Sequence, residues 1–235
     1  MKFFIDAGHG GSESGAIGNG MIEKNINLIV AKEVKRILEL NKQTVVMSRE
    51  TDITIGVSDR PILANNCGAD LLVSIHHNAN DGISSGAEVY ASVTGGFGLI
   101  VAKDIAYQFE SIGRKTLIKQ RDSESNPGVG QDYYSIIRNS RMPAIITEFG
   151  YIDSKDYINF DTPEELMMEA KAIANSCLTA ANITNIIYTD IQIKEHWAQS
   201  SFDYLKAKGI KINETRFDDK MTRGEFLVLF AQLVK

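Results

Sequence analysis

Cysteine is almost missing from this chain: two in 235 residues, Cys67 and Cys177. No C-x-x-C pair exists, which argues against a thiolate zinc site. Each cysteine stands in an apolar helical context that suits a buried free thiol. Basic residues are not in excess either. Lys and Arg number 25 against 30 Asp and Glu, a net charge of −5, so the basic footprint of a nucleic-acid binder is absent. No apolar run approaches the roughly 18 residues of a membrane span, so no membrane partner is expected. The apolar stretch Met1–Ile5 is too short for a secretory signal, and a glycine-rich segment follows at once. The expectation is a protein that stays in the cytoplasm or leaves it by another route. Low-complexity tracts and internal repeats are also lacking. Histidine is scarce, with four residues, and their placement carries most of the chemistry.

Apolar residues make up 43 % of the chain, enough for a full core, and the length suits one sizeable domain with a small appendage. Short apolar runs at Phe3–Asp6, Thr44–Met47, Asp70–Ile75, Ala87–Ala91 and Ala144–Thr147 read as strands. The near-continuous "DLLVSI" suits a parallel strand covered on both faces. Helical spacing recurs over Ile22–Leu40, Pro61–Cys67 and Leu99–Ile112, with a turn or two at Tyr133–Asn139. Lys119–Gly130 is polar, contains Pro127, and reads as a long loop. "DTPEEL" announces a further helix to about Ala181: Thr162 as N-cap, Pro163 at the first position, Glu165 completing a capping box. Strands alternating with helices predict an α/β fold, a twisted, mostly parallel sheet flanked by helices on both faces. The pattern changes near residue 182. Residues 1–182 form the predicted main domain and 183–235 a small helical module, with helices over Lys194–Lys208 and Arg223–Val234 and a second capping box at Thr222 and Glu225.

Sheets of this kind bind ligands at the carboxyl ends of their strands. Four polar residues fall at that edge. His9 follows the first strand, Glu23 starts the helix after it, His76 follows "LLVSI", and Glu148 follows "AIIT". Two histidines and a carboxylate are the ligand set of a catalytic zinc that keeps a position open for water, and a second carboxylate could transfer protons. Each residue has a bland alternative. His9 could be a turn histidine, Glu23 could complement the helix dipole, and His76 competes with His77, because neighbours on a strand point to opposite faces. Glu148 is the most suggestive, since a carboxylate ending an apolar strand is expensive without a partner. His196, beside Trp197 in the small module, reads as structural.

"DAGHGG", "EKNINL", "SRETD", "SDRPILAN", "GADLLVSIHHNA" and "MPAIITEFGYID" occur in that order and span nearly all of residues 1–182. In these blocks the chain resembles the zinc-dependent N-acetylmuramoyl-L-alanine amidases of the amidase 3 type. The resemblance implies hydrolysis of the lactyl–L-alanine amide of peptidoglycan. It implies Zn2+ held by His9, Glu23 and His76, leaves His77 at a variable position, and makes Glu148 the catalytic glutamate. Arg60 and Asn65 match recurring positions and are expected to fix the approach to the His76 strand. Gly10 and Gly11 are expected to leave room for metal and substrate. Tyr134 and Arg138 lie in the stretch that lines the family's peptide groove, and either face substrate or pack locally.

Residues 188–233 contain Asp190-Ile191, His196-Trp197-Ala198, Lys208-Gly209-Ile210, Phe217 and Thr222–Glu225, and resemble a single S-layer homology repeat. That resemblance implies binding of a secondary cell-wall polysaccharide through Arg223. "KINET" replaces the usual glycine-rich turn, and a lone unit of about 50 residues has a marginal core. Docking or homo-oligomerisation is the alternative use. With no secretory signal, the expected biology is a phage or prophage endolysin for a Gram-positive host, released on lysis and acting on the cell wall. A mother-cell autolysin of sporulation, a catalytically inactive wall-binding protein and a zinc peptidase are the rivals.

Overall fold

The computed structural model describes residues 1–123 and 130–188. The predicted helices at Lys194–Lys208 and Arg223–Val234, with His196 and Arg223, lie outside the described residues, as do residues 124–129, half of the Lys119–Gly130 loop. Met1–Tyr188 forms one compact unit. Its strands are β1 (Lys2–Ala7), β2 (Ile17–Gly18), β3 (Met21–Ile22), β4 (Thr44–Met47), β5 (Leu71–Asn78), β6 (Ala87–Tyr90), β7 (Thr116–Lys119) and β8 (Ala144–Tyr151). Its α-helices are α1 (Glu23–Leu40), α2 (Asp59–Cys67), α3 (Gly96–Ser111), α4 (Ser135–Arg138) and α5 (Pro163–Ala180), and a 3-10 turn covers Lys155–Asn159.

Six strands build one sheet in the order β4-β1-β5-β8-β6-β7. The four strands from β4 to β8 are mutually parallel. β6 runs antiparallel to β8, and β7 is parallel to β6, so the sheet is mixed rather than uniformly parallel. β7 escapes sequence reasoning because "TLIK" is a four-residue edge strand with Leu117 and Ile118 exposed, too short for a periodic signal.

Alternation along the strands explains how both faces are covered. Phe3, Ile5 and Ala7 on β1 pack with Val30, Val34 and Ile37 of α1 and with buried residues of α3 and α5. Phe4, Leu72 and Ile146 face the other way and pack with Ala64 of α2 and Ile136 and Ile137 of α4. α5 starts as predicted: the Thr162 hydroxyl accepts from the Glu165 backbone N–H, and Glu165 Oε2 accepts from the Thr162 N–H at 3.0 Å. Such a cap contributes about 1 kcal/mol. Both cysteines are free. Cys177 is buried, and burial pushes its thiol up to about 12. Cys67, one residue before the left-handed Gly68 that ends α2, is partly exposed rather than buried. The unit extends past residue 182, because the Asn41 side chain bonds both backbone groups of Ile187.

Candidate metal centre

The first candidate sits on a strained turn. β1 ends at Ala7, and His9 follows with φ of +58°, a left-handed conformation that costs a non-glycine residue about 1 kcal/mol or more. Two buried arginines hold it. Arg60 donates to the carbonyls of Ala7 and His9, both at 2.9 Å, and pairs with Asp6 beneath. Arg49 donates to the carbonyls of Ala7 and Gly8 at 3.0 Å, and to that of Lys24 at 2.7 Å. Burial pushes the Asp6 carboxyl up, but the Arg60 guanidinium and the Ser74 and Ser48 hydroxyls more than offset it and hold the group below its ordinary value. Arg60 is therefore structural, as expected, but it fixes the His9 turn rather than the His76 strand. Asn65 bonds Asn139 O and Arg141 N, and so fixes the entry to β8.

Glu23 opens α1 and turns both carboxylate oxygens into the cluster. Oε2 accepts from the Ala16 N–H at 2.8 Å and lies 3.2 Å from His9 Nε2. Oε1 accepts from Asn27 Nδ2 at 3.1 Å and from the His77 N–H at 3.2 Å, and lies 2.9 Å from His76 Nδ1. Burial opposes its charge, but the His76 and His9 rings hold the carboxyl far below the usual carboxylate range. One donor atom from each of His9, Glu23 and His76 fits within 4.8 Å of the others. Gly8 and Gly15 make the space: a Cβ on Gly8 would lie 2.3 Å from the His76 ring, and one on Gly15 would lie 2.4 Å from Glu23 Oε2. Gly10 and Gly11, expected to clear this approach, instead accommodate Ile53 and Thr54. The donor chemistry and the cradle fit a zinc ion, whose nitrogen and oxygen ligands sit at about 2.0–2.2 Å.

Glu148 lies on β8 directly opposite His76 on one side and Glu88 on the other. Its Oε2 is buried with no hydrogen-bond partner. Burial first, then the charges of Glu23 and Glu88, push its carboxyl well above the usual range, with Lys119 opposing. Glu88 itself is saturated by Lys119 Nζ at 2.6 Å and the hydroxyls of Tyr90 and Tyr151 at 2.5 and 2.8 Å. His9, His76 and Glu148 line a cleft of about 460 Å³, walled by Thr54–Val57 and Tyr134–Ile136. Tyr134 thus reaches the cleft, while Arg138 packs locally on the carbonyls of Asp132 and Tyr133.

Arg49, Asn27, Glu88 and Glu169 carry no expected role in the sequence, and His77 is expected there only as the variable neighbour of His76. Two of these left a signal. Asn27 stands four residues after Glu23 on one helix face, and Glu169 interrupts the apolar stripe of Leu166, Ala170 and Ile173.

An α/β sheet carrying two histidines and a carboxylate at the carboxyl edge of its strands, beside a carboxyl with one buried oxygen unpartnered, defines a class suited to metal-assisted hydrolysis. Residues 3–178 match the Amidase_3 family, N-acetylmuramoyl-L-alanine amidase, and the chain belongs to it. It is 32 % identical over 191 residues to a sporulation-specific N-acetylmuramoyl-L-alanine amidase of Bacillus subtilis, covering 78 % of this chain and 69 % of that protein. To an endolysin of Bacillus phage SPP1 it is 38 % identical over 160 residues, covering 65 % of this chain and 55 % of that one. Among solved structures it resembles the catalytic domain of CwlV, an N-acetylmuramoyl-L-alanine amidase from Bacillus (Paenibacillus) polymyxa, with a TM-score of 0.68, 27 % identity, and coverage of 78 % of this chain and 99 % of that one.

Proposed function

We propose that this amidase hydrolyses the amide between the lactyl group of N-acetylmuramic acid and L-alanine in peptidoglycan, with His9, Glu23 and His76 holding a zinc ion and Glu148 transferring protons. The observation that carries the reading is the convergence of those three side chains within 4.8 Å, with Glu148 in register beside His76. When bound, zinc supplies Lewis-acid polarisation of the scissile carbonyl and brings the pKa of water down to about 7. Glu148 takes a proton from the attacking water and returns it to the departing L-alanine amine, as its position on the cleft wall and its high proton affinity suit it to do. Arg49 and Arg60 hold the turn that aims His9, and the walls of the cleft restrict how the peptide approaches.

Metal analysis paired with a peptidoglycan digest tests the assignment. One zinc per chain and newly freed L-alanine amino termini on intact muramic acid are expected. Glu148→Ala should keep the zinc and lose activity, whereas His9→Ala and His76→Ala should lose both. A Glu148→Ala protein that still solubilises walls overturns the assigned roles, and full activity after exhaustive chelation overturns the metal.

Relatives of both kinds support a lytic role. We infer a phage or prophage endolysin released on host lysis, with a sporulation autolysin as the rival. Lysis that depends on co-expression of a hole-forming membrane protein separates them. Residues 189–235, the part of the expected 183–235 module that lies beyond the first compact unit, are read as a wall-binding module whose Arg223 meets a secondary polysaccharide. Retention of the full chain on purified walls, lost in Arg223→Ala, is expected; a change in sedimentation instead points to oligomerisation.

A further inference from the structure

The least expected side chain in the core is Glu169 of α5. It is 0 % exposed, and its carboxylate has no well-directed hydrogen bond. A charge or acid in such a place is costly, and an apolar residue would continue the Leu166, Ala170 and Ile173 stripe without that cost. Its polar neighbour is His77, 1 % exposed, whose Nε2 lies 3.1 Å from Glu169 Oε2. Phe149 and Phe160 surround the His77 ring.

The chain of contacts continues toward the metal centre. His77 Nδ1 is 2.9 Å from Asn27 Oδ1. Asn27 Nδ2 donates to two acceptors, Glu23 Oε1 at 3.1 Å and Gly8 O at 3.3 Å. That pattern places the amide oxygen toward His77, so Nδ1 carries the proton it donates and Nε2 is the atom left facing Glu169. Glu169, His77, Asn27 and Glu23 therefore form one buried line from α5 to the carboxylate at the head of α1. The backbone N–H of His77 meets the same Glu23 oxygen at 3.2 Å, so His77 braces it twice.

We propose that Glu169 and His77 are positioning residues: this buried pair, acting through Asn27, fixes the Glu23 carboxylate and thereby sets the affinity of the site for its metal. The inference rests on Glu23 being a ligand. Two physical arguments support it over a role in stability. Outer partners that orient a metal's ligands usually change affinity about 10–100-fold when removed. A buried ionisable pair is weak evidence for stability, because apolar replacements of similar volume are often neutral or stabilising.

The test compares the wild-type chain with E169Q, the double variant H77F/E169L and the control L166A, all full length. Zinc affinity is read by competition with a chromogenic chelator, and the melting midpoint is read on metal-free protein. E169Q and H77F/E169L are expected to bind zinc about tenfold or more weakly. The double variant should melt no lower than wild type, since two apolar side chains replace a poorly satisfied polar pair beside Phe149 and Phe160. It therefore serves even where E169Q folds poorly. L166A should melt lower with unchanged zinc affinity. Unchanged affinity in the double variant, or an equal loss in L166A, overturns the inference. A wild-type chain that takes up no zinc overturns the metal reading and this inference with it, whereas normal uptake with unaffected variants overturns this inference alone.

Discussion

Two carboxylates of the site, Glu23 and Glu148, meet opposite surroundings. At the head of α1, Glu23 is gripped by two backbone N–H groups, the Asn27 amide and two imidazoles, and its carboxyl is held far below the ordinary range. On β8, Glu148 has a buried oxygen with no partner, and burial together with the charges of Glu23 and Glu88 holds it well above that range. The same chemical group is thus prepared for two tasks. A negative, fixed carboxylate suits a metal ligand, and one that readily takes up a proton suits an acid–base catalyst. Pairs of acids pushed apart by environment mark the division of labour in many hydrolytic sites.

The largest effect should come from the gripped side. Glu23→Ala is expected to abolish zinc uptake and reduce amidase activity to background, measured by metal analysis and release of L-alanine termini. A variant retaining one tightly bound zinc would remove Glu23 from the ligand set. On the other side, Glu148→Gln should leave zinc content intact and lower kcat by about 10²–10⁴-fold, the usual contribution of a positioned general acid–base group. If both substitutions remove the metal equally, the two carboxylates do not divide their roles.

Arg60→Ala attacks the support under His9. It leaves Asp6 buried and unpaired, so a loss of about 3–5 kcal/mol in unfolding free energy is expected near neutral pH. The sign with pH follows from the lowered Asp6 value. In the wild type this pair stabilises fully above the ordinary carboxyl value of 3.8 and fades as pH falls through the lowered one. The gap between variant and wild type should therefore narrow in acid, as read by denaturant titration at several pH values.

The smallest effect is expected from Glu88→Gln. Removing the negative charge opposite Glu148, and freeing Lys119, should lower the proton affinity of Glu148. The acid limb of the kcat/KM profile should then move to lower pH, by about one unit or less. A shift toward higher pH would show that Glu88 acts on the cleft by some route other than its charge.

Much of this could be read along the chain, for a local reason. Thr44–Met47 and the Thr162–Glu165 cap need only neighbouring residues to specify them, and both stand where periodicity and capping place them. His9, Glu23, His76 and Glu148 could be gathered at one edge because strand direction and helix order dictate which ends of the elements share it. β7 was illegible because four residues at a sheet edge carry too little pattern, and the reversal of β6 and β7 depends on pairing across distant parts of the chain. Arg60 and Asn65 were legible as structural, but not their targets, since side-chain reach depends on packing between elements.

The order of residues by itself determined the α/β class, the family and the four polar groups at the sheet edge, because these follow from short-range spacing and the alternation of strands with helices. Only the folded chain decided which glycines clear the ligands, which acid is pushed up and which down, and that Glu169 stands behind His77. Those depend on distances and burial between segments far apart in sequence, and no local pattern encodes either.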